Sequence, residues 1–240
     1  LFTQAERLIS LRNLRPKKKE GFLKVISIFS FLGIMLGVAI LIIVMSVMNG
    51  FKTDLTKKIL GLNPHIIIES NSFKIENEFI ENLERKYQHV NISKTYSGEG
   101  IVVSNDNAKG IIIKGIDSNN KESLSFLKKN ISKGDLNKFK KNTAFIGTEL
   151  SFNLDLKIGD KINLMSSAFV ATPFGGLPKQ ETLTVAGVFN TGFYEFDQNF
   201  IFLNLQDTLS IFDKDIHEQN IEIYLKDPMK ADIVKNSIQK

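Results

Sequence analysis

In this 240-residue chain the groups that could act as acids, bases, nucleophiles or metal ligands do not gather. His65, His89 and His217 are scattered, and none has a second histidine or a carboxylate at metal-ligand spacing, so they read as surface residues. Glu195, Asp197 and Glu218 read as loop carboxylates with nothing to pair them. There is no GxxxxGK[ST] loop for ATP and no GxSxG elbow. The lack of cysteine removes thiol catalysis and thiolate-held metal. The expectation is a chain with no catalytic residues, no metal and no cofactor. The chemistry left to it is recognition, and one stretch is suited to that. Ser166 to Gln180, SSAFVATPFGGLPKQ, displays Phe169, Val170, Phe174 and Leu177 with little charge to solvate them. As a connection it is several times longer than a tight hairpin needs. Long apolar loops of this kind are there to be bound, unless they fold back on their own domain.

Something must hold that loop, and the longest element available is the uncharged run Val25–Phe51. As a helix it covers roughly 40 Å, against about 30 Å for the hydrocarbon core of a bilayer. It lacks the short apolar region and small-residue cleavage site of a signal peptide, so it reads as a retained membrane span. Residues 1–24 carry a net charge of +5, equal to that of the whole chain, so residues 25–240 are neutral. A basic flank before a span stays on the cytoplasmic side, which places everything after Phe51 on the other. A neutral outer part also argues against nucleic acid as a partner.

Around the span, residues 1–24 read as a basic amphipathic segment with Phe2, Leu8, Ile9 and Leu11 among polar residues. Apolar residues at helical spacing from Phe51 to Leu60 extend the span into a stalk over 25–61, capped at Gly61 and stopped before Pro64. Beyond it, 62–240 reads as one α+β domain. Strands are expected at His65–Glu69, Val90–Tyr96, Ile101–Ser104, Ile111–Ile116, Thr143–Ile146, Lys161–Met165, Glu181–Phe189, Phe200–Leu203 and Ile221–Leu225, with helices at Glu76–Tyr87, Thr148–Leu154 and Leu205–Phe212 and a final one opened by Pro228. An α+β part nearest the stalk (62–147) and a mainly β part (148–227) bearing loop 166–180 are expected. The start at Leu1 and the stop at Lys240 inside a helical pattern suggest part of a longer protein.

Several segments together resemble a known family. SLRNLRPKKKEGF (10–22), SVMNGF (46–51), ILGLNPH (59–65), IIIKGID (111–117), FIGTELSFNLDLKIGDKINLMS (145–166) and TPFGGLP (172–178) are similar, in order, to the lipoprotein-releasing permeases LolC and LolE. These belong to the mechanotransmitting ABC permeases that include MacB and FtsX. The resemblance implies a MacB-like periplasmic domain between the first and second of four spans. It implies a second permease subunit (LolE-like or a second copy), a separate cytoplasmic ABC ATPase, lipoprotein cargo in the bacterial inner membrane, and a periplasmic LolA-type carrier. In the LolC type a protruding hook recruits that carrier. Loop 166–180 resembles the hook, with Pro173, Gly175 and Pro178 on its P-x-G-x-x-P pattern and Thr172 before them. Gly176 departs from the family, which has a basic residue there; the nearest here is Lys179.

From the same resemblance, Val44, Val47, Met48 and Phe51 are candidates to line a cavity for lipoprotein acyl chains, against plain packing in lipid. Gly33 and Gly37, four apart, are candidates for close helix packing. Two alternatives stay open. One is a MacB-like or FtsX-like permease with another cargo or a cell-wall hydrolase partner. The other is a single-span protein with an outer sensor or adhesion domain.

Overall fold

The structure, a computed structural model, describes residues 3–13, 21–70, 75–87, 90–104, 107–118, 123–173 and 175–238. It divides into two units between Lys58 and Ile59. The N-terminal unit holds α1 (Gln4–Asn13) and most of α2 (Gly21–Leu62). Residues Val25–Thr56 of α2 are long and apolar enough to cross a membrane. Phe29, Ile34 and Val47 are all exposed, as in a helix whose whole circumference is apolar. Hydrocarbon offers no partner to a bare amide, so even an Ile- and Val-rich run closes its hydrogen bonds internally as a helix.

The end of α2 corrects one expectation. The helix runs through Gly61 to Leu62, and its last carbonyls are closed from beyond. The Asn63 backbone N–H and Nδ2 both donate to Ile59 O, at 3.2 and 3.0 Å. His65 Nε2 donates to Leu60 O at 3.1 Å, while Nδ1 accepts from the Leu225 N–H at 2.8 Å. His65 is therefore a half-buried tie rather than a surface residue. A proline after the helix leaves carbonyls orphaned, and side chains one and three residues past the end supply the donors.

The C-terminal unit comprises β1 (Ile66–Ile68), α3 (Asn77–Lys86), β2 (Asn91–Ser104), β3 (Asn107–Ile116), α4 (Ser123–Asn130), β4 (Ile131–Gly134), β5 (Thr143–Gly147), α5 (Thr148–Asn153), β6 (Lys161–Thr172), β7 (Gly175–Phe189), α6 (Tyr194–Asn199), β8 (Phe200–Asn204), α7 (Leu205–Ile211), β9 (Asn220–Tyr224) and α8 (Ala231–Ile238). Six strands close into a ring, β2-β3-β8-β5-β7-β6 and back to β2. Alternation sends one residue set of every strand inward. Val102, Ile113, Ile201, Ile146, Leu183 and Leu164, one from each strand, form a single buried cluster. Each such side chain contributes about 1.5–3 kcal/mol by leaving water. On the outer face Phe145, Phe189 and Phe202 pack with Phe139, Phe196 and Leu127. Phe189 and Phe202 meet edge-on at 5.2 Å between ring centres.

The first half of β2 belongs to a second layer, β1-β9-β2, all antiparallel. Ile80 and Leu83 of α3 pack there against Ile92, Ile221 and Ile223. The fold is thus α+β, with a layer that follows α2 and a mainly β part, as expected. The expected division into 62–147 and 148–227 is not how the chain is arranged. β9 returns to the first layer, and β2, β3 and β5 belong to the barrel. Sequence order does not show which strands pair across a hundred residues. The two strands expected around Gly98 and Gly100 are also one continuous β2. Those glycines make room rather than break the strand: a Cβ on Gly98 would stand 2.5 Å from the Phe212 ring. Phe212 enters there from the end of α7 and packs on Tyr96 at 5.4 Å.

Lys114 of β3 and Glu222 of β9 link the barrel to the layer through a nearly buried ion pair, 2.8 Å long. The Tyr224 hydroxyl donates to the same carboxylate at 2.8 Å. Removing one partner strands a buried charge, so Lys114→Met should cost about 3 kcal/mol in chemical denaturation, and adding Glu222→Met should recover most of it. Burial, and then the neighbouring Glu222, push the Tyr224 hydroxyl well above its ordinary value of 10.0. A raised folded-state value gives stability that is full below about pH 10 and lost as pH rises beyond it. Burial raises Tyr96 in the same direction. Tyr224→Phe should therefore flatten, without abolishing, the fall in stability measured between pH 10 and 12.

Candidate functional site

The stretch expected to be an irregular loop is a two-stranded arm. β6 pairs with β2 as far as Ser166. β7 pairs with β5 only from Thr184 onward. Between those limits, among the described residues, β6 and β7 pair with each other: Phe169 with Pro178, Val170 with Leu177, Ala171 with Gly176, and Thr172 with Gly175. The correction has a physical cause. Phe169, Val170 and Thr172 favour extended backbone. The prolines that suggested a loop are tolerated because both strands of a ribbon are edges. The turn needs Gly175, whose φ of +118° few side chains accept.

The pairing shifts by two residues between Met165 and Phe169, where Ser166 to Ala168 bulge. Ser166 is buried, and its Oγ donates to Ile211 O at 2.5 Å and accepts from the Ala168 N–H at 3.2 Å. A bulge bends a strand and tightens its twist, so the arm departs from the barrel here. On the arm Phe169 is 66% exposed, Val170 47% and Leu177 60%. Phe169 and Pro178 share one face, Val170 and Leu177 the other. The Phe169 ring lies 3.5 Å from where a Cβ of Gly176 would stand, so it rests on bare backbone. Pro173, Gly175, Gly176 and Pro178 are exposed. Phe174 and the Thr172 side chain lie outside what is described. Lys179, the basic residue nearest Gly176, is engaged within the chain, with Nζ 3.0 Å from Asp213 Oδ1.

The remaining candidates belong to the N-terminal unit. Val44, Val47, Met48 and Phe51 are exposed and, at helical spacing on the continuous α2, share one face. A Cβ on Gly33 or Gly37 would meet nothing within 4 Å, so both are open for another helix. Carboxylates taken for unpaired loop residues are structural. Asp197 is buried on α6 and accepts from the Thr191 N–H at 3.0 Å and from its Oγ1 at 2.7 Å. Glu195 also lies on α6 and accepts from Gln198 Nε2, while Glu218 closes a capping box with Asp215 and pairs with Lys214 at 2.9 Å. His217 is exposed and His89 lies outside the described residues. No group of three or more His, Cys, Asp or Glu that could hold a metal occurs among the described residues. Ser210, Ile211 and Asp213, which meet the arm's base, carry no signal in the sequence, since they lie 29 to 45 residues from their partners.

Residues 27–240 match the MacB-like periplasmic core domain family. The chain belongs to that family. Similar relatives include the lipoprotein-releasing system transmembrane protein LolC of Xylella fastidiosa (strain Temecula1 / ATCC 700964), 27% identical over 90% of this chain and 53% of the relative. LolC of Neisseria meningitidis serogroup B is 28% identical over 94% of this chain and 55% of its own length. LolE of Haemophilus influenzae is 29% identical over 93% and 55%. The resemblance to the LolC/LolE permeases is thus borne out, and this MacB-like chain spans about half the length of the curated relatives it matches.

If the arm is a separately ordered ribbon, its turn can be loosened without disturbing the barrel. Gly175→Val should speed amide hydrogen exchange at 175–180 at least tenfold, while the thermal midpoint of the C-terminal unit stays within about 2 °C.

Proposed function

We propose that this chain is part of an ABC transporter permease that extracts lipoproteins from the outer leaflet of the bacterial inner membrane and hands them to a periplasmic LolA-type carrier docked on the arm. The carrying observation is the arm itself. Phe169, Val170 and Leu177 stay exposed beside a barrel whose own core is full, so they have no part in closing the fold. Exposed aromatic and aliphatic side chains on a paired ribbon suit a partner's pocket. LolC and LolE relatives support the cargo, and the basic flank of residues 1–24 supports a cytoplasmic N-terminus with residues 62–240 periplasmic.

The chain contributes no catalysis in this reading. A lipoprotein's acyl chains resist leaving lipid by about 0.8 kcal/mol per methylene, so a separate cytoplasmic ATPase drives the step. A second permease subunit, LolE-like or a copy of this one, completes the path, with Gly33 and Gly37 at a helix contact. Val44, Val47, Met48 and Phe51 line the acyl-chain cavity, and α2 carries the motion as a lever. The family's MacB-like breadth favours one rival, a MacB- or FtsX-type permease with another cargo or a cell-wall hydrolase partner. The arm separates the two readings, because a permease without a carrier has no use for it.

Deleting residues 168–179 from the intact permease should abolish binding to purified carrier, with the circular dichroism of the remainder unchanged. Phe169→Ala and Leu177→Ala should each raise the Kd about tenfold or more. Equal carrier affinity for the deletion variant and the parent would refute the proposal.

A further inference from the structure

The base of the arm is held by a segment that neither the arm nor the barrel needs for its own pairing. Three contacts converge on the end of α7. Ser166 Oγ donates to Ile211 O at 2.5 Å, Lys179 Nζ meets Asp213 Oδ1 at 3.0 Å, and Ser210 Oγ donates to Glu181 Oε1 at 2.9 Å. They grip both strands, with Ser166 on β6 and Lys179 and Glu181 on β7. The gripping segment is itself fixed, since Phe212 between Ile211 and Asp213 is buried against Tyr96 and fills the space left by Gly98. Asp213 has a φ of +55°, a conformation that glycine or asparagine takes at less cost. The position keeps a carboxylate all the same, and that carboxylate meets Lys179.

We propose that Ser210–Asp213 is a bracket that sets the angle at which the arm leaves the barrel, and that Lys179 is a positioning residue rather than a cation offered to the partner. This rests on the arm being the partner-binding element. A two-stranded ribbon is weak by itself and would sweep a wide cone about its bulge. Bracing both strands at the base confines the apolar tip before the partner arrives, so less disorder is lost on binding. With Lys179, the one Lys or Arg of 168–179, held by Asp213, no cation of the arm is offered to the partner, and binding to this arm depends little on salt.

A double-mutant cycle tests the bracket with the intact permease and purified carrier. Lys179→Met and Asp213→Asn should each weaken binding about three- to fivefold, and the double variant should be no weaker than either single one. Asp213→Asn leaving affinity unchanged, or the two effects multiplying, would overturn the bracket and make Lys179 a direct contact. A second readout needs no carrier: hydrogen exchange at 175–180 in the free protein should quicken equally in both single variants and in the double one, and in Ser166→Ala. Arm exchange unaltered in all four would also overturn it. Failure of the transfer reading looks different, because there the deletion of 168–179 leaves carrier affinity untouched whatever the bracket does.

Discussion

One strand carries two obligations, and the rest of the C-terminal unit follows from how it meets them. β6 must pair with β2 and β7 together to close the six-stranded ring, then continue with β7 alone to form the arm. A strand cannot do both without a point of departure. That point is Ser166, where the register shifts and the buried hydroxyl takes a partner outside the sheet. Before it, Ile162 and Leu164 face a full core; after it, Phe169 and Val170 face water. Closure of the ring makes the arm visible as something apart, because a closed barrel has no edge of its own left to cover.

The polar interior has a similar logic. Lys114 and Glu222 lie where the barrel gives way to the β1-β9-β2 layer, and Tyr224 adds a donor to the same carboxylate. A buried pair of this kind adds little net stability over apolar side chains of equal size, but it penalises any arrangement that separates its members. It therefore fixes how layer and barrel share β2. His65 works in the same direction at the layer's margin, joining the last turn of α2 to the residue after β9 through both ring nitrogens.

Among the described residues, apolar surface is left bare in two principal places, the span within α2 and the arm. Both are costs that folding of this chain alone leaves unrelieved. Lipid answers the first. In the transfer reading a carrier answers the second, and the two exposed regions are then the two ends of one route for an acyl chain.

Much of this was legible in the sequence because it depends on local pattern. An uncharged run of 27 residues reads as a span, and alternation and turn residues located most strands and helices, though not α4, β4 or α6. The apolar character of 166–180 was legible for the same reason. What the sequence misjudged were features that two distant segments decide together. Gly98 and Gly100 read as breaks until Phe212 is seen to occupy the space above the first, and Ile113 and the Met165 carbonyl that above the second. Prolines read as loop until the strand opposite supplies a ribbon. Lys179 read only as the basic residue nearest Gly176 until Asp213, 34 residues away, takes it up. Side-chain type and spacing were enough to determine that this chain carries a helix long and apolar enough to cross a membrane, and an apolar segment around residues 169–177. Tertiary structure alone decided that the segment is a paired ribbon, where it departs and what it meets at its base, because strand register and long-range pairing arise from contacts that no local window contains.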